Sequence, residues 1–490
     1  MTQLAPPPVV DRRRTWALKR LHDVLEAAEI SVNADDLDAT ATDWSGHRLP
    51  GTPLAVLRPG SVDAVRAALR VASAAGLPVV PRGRGTGLSG GAAVPDGGLV
   101  LSTERLTSIE RIDPVNGLAI VQPGVLTADL DAAAGQHGLQ YAPDPASSRL
   151  CSIGGNIATN AGGLRCVKYG VTRDSVLGLT VVLADGSLLR TGRQTIKGVV
   201  GYDLTALFVG SEGTLGVVVE ATVRLRPRPV KTRTAIAFFP GTAEAAAGVT
   251  SLWRRGVTPS VLELLDGGAL RAIDRAQGTT LALRGSALVL AQADGFGADA
   301  EIAVLGDALE AAGGEVQHLD DDDAEHYLTL RRSGRGPLTG VWAVGEDVAV
   351  PKSALAEMFR AIDDIGRRHG LDVAVVAHAG DGNLHPLLSV PRHPGDGEAP
   401  AALHAAADEL VRTALRLGGT ISGEHGVGIT KRPWLEAELG SGSIALQRKL
   451  KEVFDPAGIL NPHTWLAAAH STSDSRLTAA APAAYGEARS

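Results

Sequence analysis

A strand that runs into glycine with no helix after it is the strongest constraint on how this chain folds. Leu77-Pro-Val-Val80 is short and apolar and reads as a strand. Pro81-Arg-Gly-Arg-Gly-Thr-Gly-Leu-Ser-Gly-Gly91 follows it, and within this run Gly85 to Gly90 matches the G-x-G-x-x-G string of a dinucleotide fingerprint. That fingerprint needs a helix to start in the loop, with the pyrophosphate at its N-terminus. Here Ala92-Ala-Val-Pro-Asp-Gly-Gly98 comes next, and Pro95 and the glycines oppose such a helix. The context argues against a Rossmann NAD site. What remains is a nest of backbone N–H groups able to cradle phosphate, with Arg82 and Arg84 adding charge.

Two more small-residue segments occur, Ser152-Ile-Gly-Gly-Asn-Ile-Ala-Thr-Asn-Ala-Gly-Gly163 and Gly210-Ser-Glu-Gly-Thr-Leu-Gly216. One such loop alone reads equally well as a turn. Three in one domain suggest a long flat ligand lying against exposed backbone, and FAD fits that size and its pyrophosphate.

A different chemistry sits downstream. Asp372-Val-Ala-Val-Val-Ala377 reads as a buried strand, and His378-Ala-Gly-Asp-Gly-Asn-Leu-His385 follows it. Asp381-Gly382 is turn chemistry, so both imidazoles can point at one spot. Gly423-Glu-His-Gly426 adds a carboxylate. Two histidines and a carboxylate leave open positions on a divalent metal, the catalytic rather than the structural pattern. By spacing alone, ordinary core or surface histidines stay a competing reading; His22, His137 and His404 show no clustering.

The totals exclude several classes. At 490 residues the chain exceeds one ordinary core. A net charge of −7 and scarce aromatics argue against nucleic acid. Cys151 and Cys166 form no C-x-x-C pair, which leaves no iron–sulfur or Cys-zinc site in the chain. Asp11-Arg-Arg-Arg14 precedes no apolar stretch of the kind a signal peptide needs, and no run is long enough to span a membrane. Cytoplasmic location is expected, and peripheral contact with the inner membrane face stays open.

Periodicity predicts a helix over 15–28, a βαβ-like start with Ser61 as N-cap and Gly76 as helix stop, then short strands up to 225. Strands 235–239 and 287–292 alternating with helices predict a second α+β unit whose sheet is covered on one face. The expected organisation is an N-terminal helical segment at 1–49, a cofactor domain at 50–227 and a cap domain at 228–400. A C-terminal segment at 401–466 completes the site, and a disordered tail at 467–490 ends the chain.

The glycine segments, Tyr169-Gly170, Lys197-Gly198 with Tyr202-Asp203-Leu204, Glu346-Asp-Val-Ala-Val-Pro351, the 378–385 turn, Gly423-Glu-His-Gly426 and Phe454-Asp-Pro-Ala-Gly-Ile-Leu-Asn-Pro462 together resemble the p-cresol methylhydroxylase-type flavoproteins. Within them the chain is similar to the D-2-hydroxy-acid dehydrogenase branch, which includes D-lactate dehydrogenase, the glycolate oxidase large subunit and D-2-hydroxyglutarate dehydrogenase. The resemblance covers residues 50–465. It implies an α+β fold with a two-subdomain FAD-binding domain, a ferredoxin-like cap and a C-terminal helical segment. It implies FAD held by Arg82, Gly83, Arg84, Gly85, Thr86, Gly87, Ser89, Gly90 and Gly91, by Pro143, and by Ser152, Gly154, Gly155, Asn156, Thr159, Asn160, Gly162 and Gly163. Tyr169, Gly170, Glu212, Gly213, Gly216, Val217 and Asn461 complete that set. Relatives that attach FAD covalently use His or Cys; the 81–91 loop has neither, so dissociable FAD is expected.

The resemblance also implies zinc or a similar ion on His378, His385 and Glu424, with His425 as catalytic base. Arg331 or Arg332, in Leu330-Arg-Arg-Ser333, would hold a substrate carboxylate, with Asn383 as a further polar contact. Hydroxyglutarate-specific relatives carry a Lys where this chain has Gly345, and 333–345 contains no Lys. A small monocarboxylate is therefore expected, D-lactate ahead of glycolate. D-2-hydroxyglutarate oxidation, an alkylglycerone-phosphate synthase-like transfer and a non-catalytic flavin subunit are the competing readings. The electron acceptor is left open among a quinone, a cytochrome and a separate iron–sulfur protein, and a homodimer is allowed.

Overall fold

The computed structural model describes residues 11–467 apart from 334–337, 394 and 396; the tail expected at 467–490 lies almost wholly outside the described residues. The first sheet is small. Strands Ala55–Leu57, Leu99–Ser102 and Val79–Arg82 run parallel in that order, and Ile30–Ser31 adds an antiparallel edge. The crossover helix Val62–Ala75 starts where Ser61 Oγ accepts from Ala64 N, and stops at Gly76, whose φ of +62° suits glycine. The first helix spans Arg12–Val24, earlier than its periodicity suggested, because Asp11 caps it by accepting from Arg13 N. Its Ala17 and Leu21 share one core with Val65, Leu69 and Leu101.

A second sheet of five antiparallel strands follows, in the order Ile109–Asp113, Leu118–Val121, Val217–Arg224, Val176–Val182, Leu188–Gly192. Val217–Arg224 alternates buried and half-buried along its length. Its Val217 and Val219 reach the core of the first sheet, so the two sheets form one body. The segment 152–163 holds more order than a glycine loop: Ile153–Thr159 is a short helix capped by Ser152. Gly154 is required in it, because a Cβ there would lie 2.5 Å from that of Pro123.

The third sheet has eight strands. Its main path runs Glu315–Leu319, Thr232–Phe239, Ala287–Asp294, Val261–Asp266, Asp372–His378, Asn383–Pro391, Val341–Gly345, with every pairing antiparallel. The expectation that one face is covered is corrected here: both are. Val261–Asp266 and Ala287–Asp294 are buried at every position. Helices Thr242–Leu252, Ala298–Ala311, Leu355–His369 and Ala401–Arg416 cover one face. Helices Gly267–Gln277 and Asp321–Ser333, with Leu164 from the first body, cover the other. Strands that are apolar on both sides need this double cover.

The chain then returns to the first body. Leu460 pairs parallel with Val79, and Lys451, on helix Leu435–Phe454, fixes the crossing. Its ammonium donates to Thr214 O at 2.7 Å and Leu460 O at 2.6 Å, and it pairs with the fully buried Asp455. Lys451→Met strands one buried carboxylate and two carbonyls. It is expected to cost about 3–5 kcal/mol, read as a lower urea midpoint; a loss under about 0.5 kcal/mol, the range of ordinary surface substitutions, would contradict this account of the crossing.

Candidate active site

The three glycine segments meet around one cleft with about 1360 Å³ of open space. Arg82, Gly83, Arg84, Gly85, Thr86, Gly87, Ser89 and Gly91 form one wall; Ser152, Gly154, Gly155, Asn156, Thr159 and Gly162 form a second. Glu212, Gly213, Gly216 and Val217 form a third, and Glu424 and His425 reach the same cleft from the C-terminal segment. The walls approach at backbone distance. A Cβ on Gly83 would lie 2.8 Å from Ser152 Oγ and 3.2 Å from Gly155 Cα, so any side chain there would fill the cradle.

His378, His385 and Glu424 come together at the side of this cleft. Strand alternation puts Glu263 and His378 on one face of the third sheet, and Val376 opposes His385 in the register. Gly382 makes the intervening turn at φ +88°, with a Cβ position only 2.1 Å from Val350 O. Both imidazoles present Nε2 to Glu424 Oε1, at 3.3 Å from His378 and 3.2 Å from His385. Both turn Nδ1 toward a fully buried carboxylate: Glu263 Oε1 lies 2.7 Å from His378, and Asp347 Oδ1 lies 3.7 Å from His385. The His425 ring stacks on that of His385, with centroids 5.0 Å apart and planes 15° apart.

The charges settle one another. Burial alone would push Glu424 up, but His378 and His385 hold it well below the usual carboxylate range. Burial lowers His378, yet Glu263 and Glu424 outweigh it and raise this imidazole well above its ordinary value. For His385 burial wins and the imidazole is lowered. Asp347 resists burial through His425 and His385 and falls to about 2. Glu263 is held low against burial by Arg331 and His378. Two imidazole nitrogens and a carboxylate oxygen in reach of one point form a donor set suited to a divalent transition metal.

The segment that carries Glu424 and His425 is clamped through its backbone. Asp347 Oδ2 accepts from Glu424 N at 3.0 Å and His425 N at 2.8 Å. Ser89 Oγ donates to the carbonyls of His425 and Gly426. Glu212 accepts from Val427 N at 2.7 Å and Gly428 N at 2.8 Å. Gly428 leaves room for this contact, since its Cβ would lie 2.0 Å from Ser89 O.

Comparison with known proteins agrees with this architecture. The FAD binding domain family matches residues 53–192, and the family of FAD linked oxidases, C-terminal domain, matches 228–464. The glycolate oxidase subunit GlcD of Bacillus subtilis (strain 168) is 41% identical over 445 residues, covering 88% of this chain and 93% of that one. The chain belongs to the FAD-linked oxidases. The D-lactate dehydrogenase of Archaeoglobus fulgidus is 37% identical over 410 residues, covering 83% of this chain and 90% of that one. The fold is that of p-cresol methylhydroxylase, with a TM-score of 0.77 at 17% identity, covering 94% of this chain and 98% of that one.

In this FAD-linked oxidase the cleft fits the cofactor of its family, since Gly83, Ser152 and Gly155 leave a cradle at backbone distance that a Cβ on Gly83 would fill. Seven residues expected to touch the cofactor stand off the lining of the cleft. Asn461 lies one layer behind, its amide donating to Gly91 O and Glu212 O. Gly90 turns the loop at φ +73°, and Asn160 and Gly170 close short helices. Gly163 packs on Asp144, and Pro143 is buried behind Pro145, Ala146 and Ser147, which do line the cleft. Tyr169 donates its hydroxyl to Asp294 at 2.7 Å, tying the first body to the third sheet. Asp43 and Thr103 line the cleft without any sequence signal, being single polar residues outside the glycine runs.

Arg331 and Arg332 diverge. Arg331 Nε donates to Glu263 Oε2 at 2.5 Å, beside His378, whereas Arg332 is half-exposed and lies 3.5 Å from Glu325. Asn383 starts its strand against Gly423, and its Oδ1 is buried with no hydrogen-bond partner among the described residues.

Burial pushes the Glu212 carboxyl up to about 7, above its value of about 4.3 in an unfolded chain. The folded state therefore binds the extra proton between these values, and stability falls as pH rises through about 7. The stability of the wild type relative to Glu212→Gln, from urea unfolding of cofactor-free protein, is expected to decline between about pH 4.3 and pH 7 and to level off above that. A pH-independent difference would contradict the burial of this group.

Proposed function

We propose that this FAD-linked oxidase oxidises a small D-2-hydroxy acid to the 2-oxo acid, D-lactate first and glycolate next. The observation that carries the reading is that Glu424 and His425 line the same cleft as the glycine cradle. Oxidation of an alcohol must remove a proton and a hydride from adjacent atoms, so the group that takes the proton has to face the cofactor. Bound FAD supplies the hydride acceptor. His378, His385 and Glu424 would hold a divalent ion, zinc or similar, and such an ion would make a substrate hydroxyl more acidic.

His425 takes the hydroxyl proton onto its imidazole, the side chain most often used to accept a proton from a reacting group. Stacking on His385 and the clamp on its own backbone fix its ring toward the cleft. Arg331, beside Glu263 and His378, receives the substrate carboxylate, and Asn383 adds a polar contact. Arg332, one residue further along the same helix, is the more peripheral cation. Gly345 gives no cation for a second carboxylate, which disfavours 2-hydroxyglutarate.

Among the described residues lining the cleft there is no Cys, and His425, used here as the base, is the one histidine, which supports dissociable FAD. Electrons leave to a quinone, a cytochrome or a separate iron–sulfur protein. Among the described residues no helix is long and apolar enough to cross a membrane. We place the protein in the cytoplasm, with contact at the inner membrane face allowed.

Anaerobic mixing with a panel of D- and L-hydroxy acids is expected to bleach the flavin with D-lactate and glycolate, and more slowly with D-2-hydroxyglutarate; no bleaching by any would end the reading. His425→Ala is expected to retain FAD and lose about 10²–10⁴-fold in turnover, whereas near-normal turnover would remove its role as base. Exhaustive chelation is expected to abolish activity, with recovery on adding Zn²⁺ or Mn²⁺. Full activity in protein shown to be metal-free would refute the ligand assignment.

A further inference from the structure

Asp347 touches more of the reacting cluster than any role so far given to it requires. Its side chain is fully buried. One oxygen, Oδ2, accepts from Ser422 Oγ at 2.8 Å and from the backbone N–H groups of both Glu424 and His425. The other, Oδ1, has no hydrogen-bond partner among the described residues and lies 3.7 Å from His385 Nδ1. Glu263 offers the matching arrangement on the far side, with an oxygen 2.7 Å from His378 Nδ1. Each imidazole that turns Nε2 toward Glu424 thus has a buried carboxylate behind it.

A ligating imidazole must present an unprotonated nitrogen to its ion, and a carboxylate behind the ring holds the proton on the other nitrogen. We propose that Asp347 is a positioning residue with two tasks divided between its oxygens: Oδ2 sets the backbone that carries Glu424 and His425, and Oδ1 fixes His385 with its proton on Nδ1, leaving Nε2 for the ion. This rests on the metal reading proposed above. The division separates the tasks chemically. In Asp347→Asn the amide oxygen can still accept from the two backbone N–H groups, so the segment stays in place. The amide NH₂ then faces His385 Nδ1 and, as a donor, forces the proton onto Nε2, where it blocks the ion.

The test titrates FAD-loaded protein with Co²⁺, reading the ligand-field absorption. Asp347→Asn is expected to keep its flavin spectrum and lose about 10–100-fold in Co²⁺ affinity, and His378→Ala serves as the control. Unchanged affinity in both variants removes the metal reading along with the inference. Lost affinity in His378→Ala, with Asp347→Asn within about twofold of wild type, overturns the inference alone. Should Asp347→Asn fail to fold, ¹⁵N-histidine spectra of the wild type decide, with the His385 signal assigned by its loss in His385→Gln. A proton on Nδ1 of His385 supports the proposal, and a proton on Nε2 in metal-free protein overturns it.

Discussion

The segment from Gly423 to Thr430 has no helix or strand to satisfy its backbone, yet it carries both a candidate ligand and the candidate base. Buried N–H and C=O groups without partners are costly, so something else must pair them. Three side chains do so: Asp347 from the third sheet, and Ser89 and Glu212 from the walls of the cofactor cleft. The position of His425 is thereby set from both halves of the molecule at once. A shift of either half would break bonds to this segment, which ties the placement of the base to the shape of the cofactor cradle.

Charge makes this arrangement tolerable. Glu263, Asp347 and Glu424 would be expensive to bury alone, since an isolated carboxylate in a dry interior is driven to take up a proton. Each is instead answered by nearby imidazoles, and Glu263 also by Arg331. Besides the carboxylate-binding role proposed for it, Arg331 steadies the carboxylate behind His378. The cost of burying these groups is repaid by the fixed geometry of two imidazoles and one carboxylate around a point that opens on the cofactor.

Much of this was legible in the chain. Glycine marks places where backbones meet, and 83, 154 and 428 all prove to be positions with no room for a side chain. Pro95 correctly argued against a helix after the first loop, and the turn between His378 and Asn383 followed from Asp381-Gly382. What escaped were partners whose residue type is ordinary. Asp347 stands in the Glu346-Asp-Val-Ala-Val-Pro351 motif but carried no role from it, and Glu263, set in Val-Leu-Glu-Leu-Leu, is a charge in an otherwise apolar strand and so a sign of a buried partner. The second cover on the third sheet follows from Ala235-Ile-Ala-Phe-Phe239, which is apolar at every position and so presents apolar side chains on both faces. Tyr169 and Asn160 sit among the glycine segments but away from the lining of the cleft, Tyr169 bonded to Asp294 and Asn160 closing a short helix, an arrangement that depends on packing rather than local pattern.

Anomalous scattering at a metal absorption edge, collected from crystals of the FAD-bound protein, tests the central claim most directly. One ion should appear within ligand distance of His378 Nε2, His385 Nε2 and a Glu424 oxygen, on the side of the flavin ring that His425 faces. An ion bound elsewhere, or a flavin ring lying away from His425, would contradict the account.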